Sequence, residues 1–216
     1  MKYALCLFLF SGILTFGQET VPFLDEVRAI SKKYDSVWDD SQERIVFTGS
    51  SSVRMWSSLK QSFPEHQILN TGFGGSQATD LLYHLEPLVL RYKPKKVFIY
   101  EGDNDISAKK RPREIIATTH KIITTIHTQD PETQIILIAA KPSLSRWKLR
   151  GKYKRLNRKF KKISNSNPLL TFVDVWSPML DGRKVKKDIF IADGLHMNQK
   201  GYDIWYTAMK NLVTNP

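Results

Sequence analysis

The chain has 216 residues and a mass of 25.0 kDa, with 41% apolar and 25% charged residues. That composition is too apolar for a disordered polyelectrolyte, and the length suits one full-sized domain rather than two small ones. With 33 basic against 21 acidic residues the net charge is +12, which admits an anionic partner but decides nothing about catalysis.

Met1 to Gly17 begins with Lys2, runs through the apolar stretch from Tyr3 to Phe10 and reaches the small residues Thr15 and Gly17. This is the pattern of a secretory signal; cleavage is expected after Gly17, leaving residues 18–216 as a single domain. The one cysteine, Cys6, lies inside that segment, so the mature chain is expected to carry neither a thiol nor a disulfide. No L-x-G-C lipid-attachment pattern leads into Cys6. Nor does any later stretch approach the ~20 apolar residues that span a bilayer. The expectation is an exported protein, periplasmic or extracellular, with no transmembrane anchor after processing.

Beyond Val21 the hydrophobic period alternates between helical and strand-like. Compact apolar runs predict strands at Arg44 to Thr48, Gln67 to Asn70, Lys96 to Tyr100, Gln134 to Ala140 and Leu169 to Val173. Between and around them helices are predicted at Phe23 to Asp40, Ser52 to Gln61, Gln77 to Arg91, Arg113 to Thr128, Ser145 to Ile163 and Gln199 to Leu212. Strands separated by crossover helices pair in parallel, with helices covering both faces. The predicted fold is a three-layer α/β/α sandwich with a mostly parallel, flavodoxin-like sheet of about five strands. In the fourth helix Ile115, Ile116, Thr119, Ile122, Ile123 and Ile126 recur at helical spacing as a buried face, and Pro112 suits the opening turn.

Polar clusters stand at the ends of four of these segments. Gly49-Ser50-Ser51-Ser52 follows the first strand; the glycine permits a sharp turn, and a serine there can face a cleft or simply cap a helix. It is no G-x-S-x-G elbow, because Val53 occupies the second glycine position. Asn70-Thr71-Gly72-Phe73-Gly74-Gly75 follows the second strand and could expose an N–H to an oxyanion, or merely form a close turn; it has neither a dinucleotide nor a P-loop register. Gly102-Asp103-Asn104-Asp105, after the third strand, offers an amide donor and acidic groups that serve equally for backbone hydrogen bonding or metal coordination. Asp193-Gly194-Leu195-His196 sets an acid and a base three residues apart, where one can orient the other for proton abstraction from serine.

Between Lys141 and Lys162 there are 11 basic residues and no acidic one. Leu149, Tyr153, Leu156, Phe160 and Ile163 recur among them at intervals of three or four, so the charges surround the apolar stripe of a surface helix. Arg150, Lys154, Arg158 and Lys161 are the candidates for contact with an anionic surface, against the plainer reading of a solvated face. Nucleic acid is disfavoured as the partner, because the run belongs to no recognised base-reading module.

Taken in order, these clusters resemble the blocks of the GDSL-like, or SGNH, hydrolase superfamily over most of the mature chain. Gly49-Ser50-Ser51 resembles the first block with Ser50 in place of the usual aspartate; Asn70 to Gly75, Gly102 to Asp105 and Asp193 to His196 resemble the glycine, asparagine and D-x-x-H blocks. Lys141 to Trp147 with Asn157, and Gly201 to Trp205, are similar to segments of acylhydrolase-like members. The resemblance implies Ser51 as nucleophile, His196 as general base and Asp193 as its orienter. The Ser51 N–H, the Gly75 N–H and the Asn104 amide would be the oxyanion donors. No metal or other cofactor is implied. The Ser50 replacement bears on the support of the first turn rather than on the triad. The implied activity is hydrolysis of a carboxylic ester, in a small ester, a lipid or an acylated carbohydrate, through an acyl-enzyme. The alternative is a noncatalytic carbohydrate- or envelope-binding protein on a hydrolase scaffold.

Overall fold

The structure, a computed structural model, describes residues 21–35 and 42–215. The expected signal segment, Cys6 and the last residues of the first predicted helix lie outside the described residues. After α1 (Leu24–Tyr34), strand β1 (Arg44–Gly49) leads into two short helices, α2 (Ser51–Arg54) and α3 (Leu59–Ser62). Strand β2 (Gln67–Gly72) is followed by α4 (Ala78–Tyr83) and α5 (Leu85–Leu88), and β3 (Lys96–Tyr100) by α6 (Asp103–Ser107) and α7 (Pro112–Gln129). Strand β4 (Gln134–Ile138), α8 (Arg150–Ser164) and β5 (Leu170–Val173) follow. A small hairpin, β6 (Leu180–Asp181) and β7 (Lys184–Val185), then precedes the closing helix α9 (Gln199–Thr214).

The five long strands form one parallel sheet in the order β2-β1-β3-β4-β5. Successive residues of its inner strands bury on opposite faces, so both parities must be apolar. Val46, Val97, Ile99, Ile135 and Leu137 pack with α7 and α8, through Ile115, Ile122, Ile123 and Ile126 on one helix and Tyr153, Leu156 and Phe160 on the other. Ile45, Phe47, Phe98, Tyr100, Ile136 and Ile138 face α2, α3 and α9 instead. There the Phe47 and Phe98 rings stack at 4.1 Å, and Trp56 lies between Tyr202 and Trp205 at 5.5 and 5.9 Å. The expected α/β/α sandwich is therefore the observed fold. Among the described residues no helix is long and apolar enough to cross a membrane.

Two predicted helices are broken in the structure. Gln77 to Arg91 becomes α4, α5 and a 3-10 turn at Leu90–Tyr92. Pro87 has no N–H to return to the carbonyl of Tyr83, so it is accommodated only in the first turn of a new helix. Ser52 to Gln61 divides into α2 and α3, and the break lets the Trp56 indole enter the core with only 1% exposure. Ser145 to Ile163 starts as a 3-10 turn at Trp147–Leu149 and becomes α-helical at Arg150.

The strand order reverses at β1, whose neighbours are β2 and β3. In such sheets the chains leaving adjacent strands turn to opposite faces and open a crevice at the carboxyl ends. The segments after β1, β2 and β3 that carry Ser51, Gly75 and Asn104 all emerge there.

Candidate active site

Gly49 ends β1 at φ +113°, a conformation that L side chains rarely adopt, and an added Cβ would meet the Tyr100 carbonyl oxygen at 2.1 Å. Only glycine lets β1 lie that close to the end of β3 while turning into α2. Ser50 follows in an extended conformation, its N–H donating to Tyr100 O (3.0 Å), and Ser51 opens α2. Two further bonds hold this turn from outside. Asn70 Nδ2, in β2, donates to Val53 O (2.8 Å), and Tyr202 Oη of α9 donates to Ser52 O (3.0 Å).

The bond from α9 matters because the loop before that helix carries the histidine. His196 Nε2 lies 2.9 Å from Ser51 Oγ, a contact between residues 145 apart in sequence. On the far side of the ring, Nδ1 lies 2.6 Å from Asp193 Oδ2. Asp193 also accepts the N–H groups of Leu195 (2.8 Å) and His196 (2.9 Å) on Oδ1, so the loop turns around this carboxylate. Burial works against its ionisation, but the hydrogen bonds from the His196 ring and the two amides outweigh it, and its pKa falls to about 2. A carboxylate that stays ionised accepts a hydrogen bond from Nδ1–H and leaves Nε2 with its lone pair toward Ser51.

Opposite the histidine, Gly75 is exposed and Asn104 half-buried; a Cβ at Gly75 would lie 3.8 Å from Asn104 Nδ2. Among the described residues the N–H groups of Ser51 and Gly75 donate to no protein acceptor. Asn104 Nδ2 donates to Ser50 Oγ and to Ser76 O, both at 2.9 Å. Ser50, the residue that departs from the family block, thus tethers this amide through its hydroxyl. Every residue expected to act at serine, histidine, acid and donor positions is brought to one crevice.

The sequence placed Asp103, Lys141 and Arg146 in segments resembling the family but assigned no role to these residues behind Asn104. Arg146 Nη1 donates to Asn104 Oδ1 (3.0 Å) and to Asp103 Oδ1 (2.6 Å). Asp103 is buried, and it also receives Tyr153 Oη (2.8 Å), Tyr100 Oη (2.9 Å) and Lys141 Nζ (3.5 Å). Burial alone would raise its pKa; the charges of Lys141 and Arg146 prevail and hold it below the ordinary carboxylate range. Lys141 Nζ in turn donates to Leu195 O (2.7 Å), so one buried ion cluster braces both the asparagine and the histidine loop. The contacts of Arg146 and Lys141 were not legible within the basic run around them, where charge composition cannot tell an enclosed cation from a solvated one. Nearby, burial and the adjacent Asp105 push Glu101 well above its usual range; its Oε1 accepts Ser76 Oγ at 2.7 Å.

The helix α8 divides the four candidates for anionic contact. Arg150 and Lys154 lie over the rings of Trp147 and Trp176, at 5.4 and 5.9 Å, while Lys161 is exposed. Arg158 instead lines a groove shared with the start of α7. Among the described residues no group of three or more His, Cys, Asp or Glu side chains is arranged to hold a metal ion.

The sequence profile of the GDSL-like Lipase/Acylhydrolase family matches residues 35–204, a span that includes Ser51, Gly75, Asn104, Asp193 and His196. The chain belongs to the GDSL-like lipase/acylhydrolase family. The GDSL-like fold recurs in solved structures. A Streptococcus pneumonia protein whose name refers to platelet activating factor is 24% identical, with 88% of this chain and 94% of that one covered at a TM-score of 0.77. A GDSL-like lipase from Bacteroides thetaiotaomicron is 19% identical, covering 87% and 96% with a TM-score of 0.74. An acetylxylan esterase from Geobacillus stearothermophilus is 18% identical, covering 81% and 95% with a TM-score of 0.67. At these identities they share the fold. A search of curated protein sequences gives no match. Family and fold together support a hydrolase acting on ester bonds.

Proposed function

We infer that this protein is a serine esterase that cleaves carboxylic esters through an acyl-enzyme. The observation that carries this reading is the hydrogen-bonded line from Ser51 Oγ through His196 to Asp193, at 2.9 and 2.6 Å. His196 Nε2 takes the Ser51 proton as Oγ bonds to the ester carbonyl carbon. The carbonyl oxygen becomes an oxyanion facing the N–H groups of Ser51 and Gly75 and the amide of Asn104. That amide already donates to Ser50 Oγ and Ser76 O, so it stabilises the oxyanion by sharing or exchanging one of these bonds. As the intermediate collapses, His196 returns the proton to the departing alcohol. Water, deprotonated by the same nitrogen, then attacks the acyl-serine and releases the acid.

Leu144 and Ile191 are exposed apolar side chains beside the histidine loop: Leu144 N–H donates to Gly194 O, and Ile191 N–H to His196 O, both at 2.9 Å. They offer apolar surface to an acyl group next to Ser51. A small ester, a lipid or an acylated carbohydrate remains the substrate class, and the sequence of residues 1–17 supports an exported enzyme. Ser51→Ala and His196→Ala should each lower kcat on p-nitrophenyl acetate by at least roughly 100-fold while circular dichroism stays unchanged. Near-normal turnover in both folded variants contradicts the assignment.

A further inference from the structure

A groove of about 660 Å³ runs between the start of α7 and the adjoining face of α8, and eight of its nine lining residues are basic. One wall is formed by Lys110, Arg111 and Arg113 around Pro112. The other carries Lys152, Arg155, Lys159 and Lys162, which share a helical stripe, together with Arg158. Two of the eight cations are paired, Lys110 with Asp105 at 3.5 Å and Arg111 with Glu114 at 2.5 Å. Among the described residues the other six enter no ion pair. Like charges gathered in a concavity repel one another and focus a positive field into it, a cost that an anion in the groove would relieve.

The lining also limits the kind of anion. It contains no aromatic side chain on which the bases of a single-stranded nucleic acid could stack, and no large apolar side chain that could enter a bilayer. A hydrophilic chain bearing carboxylates at intervals, an acidic polysaccharide, meets these conditions. The position of the groove links it to the crevice. Ala108 N–H donates to Asn104 O (2.7 Å) and Lys110 N–H to Asp105 O (2.9 Å), so Lys110, the first residue of the groove, is bonded back to the short helix that carries Asn104.

We propose that the groove between α7 and α8 binds a linear acidic polysaccharide and holds it beside Ser51. The binding claim stands on the groove itself; the role as a substrate subsite rests on the esterase reading above.

The test uses the full chain and a fluorescently labelled oligogalacturonate, followed by fluorescence anisotropy over a range of salt concentrations. The groove variant Lys152→Gln/Arg155→Gln/Lys159→Gln is compared with Arg150→Gln/Lys154→Gln/Lys161→Gln, which removes the same charge from the same helix outside the groove. The groove variant should weaken binding by on the order of tenfold and flatten its salt dependence, while the control stays within about twofold of the parent. On acetylated oligogalacturonate the groove variant should show a raised KM, and on p-nitrophenyl acetate unchanged kinetics. Equal loss in both variants, no binding by the parent chain, or tighter binding of a DNA oligonucleotide or of phosphatidylglycerol vesicles would each overturn the proposal. Polymer binding that is lost in the groove variant, from a protein with no ester turnover, would uphold the groove and overturn the esterase reading alone.

Discussion

An arginine side chain can only donate hydrogen bonds, so Arg146 decides which end of the Asn104 amide faces the crevice. With Oδ1 held by the guanidinium, the NH₂ points to the side of Ser50 and Gly75, where an oxyanion would form. Arg146→Gln should therefore lower kcat by about tenfold with KM changed less than about threefold, because the bond it orients strengthens only as charge develops. An equal rise in KM would assign Arg146 to substrate binding instead. Glu101 supports a second prediction at this scale. Burial and Asp105 raise its pKa in the fold, so the folded protein holds a proton there that the unfolded chain releases at lower pH. Its contribution to stability is fully present below the unfolded carboxylate value of about 4.3 and is lost as pH rises through the folded value. Glu101→Gln cannot ionise, so its Tm should gain on that of the parent chain as the pH is raised from 5 to 8. A constant difference over that range would contradict a neutral buried Glu101.

At the scale of elements, the turns that carry the chemistry are held by contacts between segments distant in the chain. Gly49→Ala would need positive φ and a Cβ within 2.1 Å of a carbonyl, and should cost about 2–4 kcal/mol, measured by urea unfolding. Tyr202→Phe removes the hydroxyl that joins α9 to Ser52 O and should cost about 1 kcal/mol, together with a modest fall in kcat. The strands and long helices were legible because their periodic apolar residues report burial directly; Ile115, Ile122 and Ile126 lie on the inner face of α7 as expected. The helix α6 was not. Asp103, Asn104 and Asp105 have the composition of a turn, yet acidic residues also suit the first turn of a helix, and a five-residue helix has no period to detect. The β6–β7 hairpin escaped for the same reason, with strands of two residues each. The four site clusters were legible as a set. The contacts of Arg146 and Lys141 and the tether from Ser50 to Asn104 were not, since they depend on which side chains the fold brings together.

In the whole molecule, one sheet separates two apolar layers, and the crevice lies where the strand order reverses. The layers share β1, β3 and β4 as a common wall, so loss of either should unfold both. Trp205→Ala, which empties a fully buried site among Trp56, Tyr100 and Tyr202, should cost about 3–5 kcal/mol and leave a single unfolding transition seen alike by fluorescence and circular dichroism. Two separate transitions would mean that the layers fold independently.

On the esterase reading, the crevice makes Ser51 a nucleophile. A fluorophosphonate forms a stable bond only with a serine whose proton a neighbouring base removes, which makes site-mapped labelling the most direct measurement. Mass spectrometry of the treated protein should find one adduct, on the peptide containing Ser51, absent from Ser51→Ala and strongly slowed in His196→Ala. A folded parent chain that stays unlabelled, or an adduct that persists in Ser51→Ala, would contradict the account.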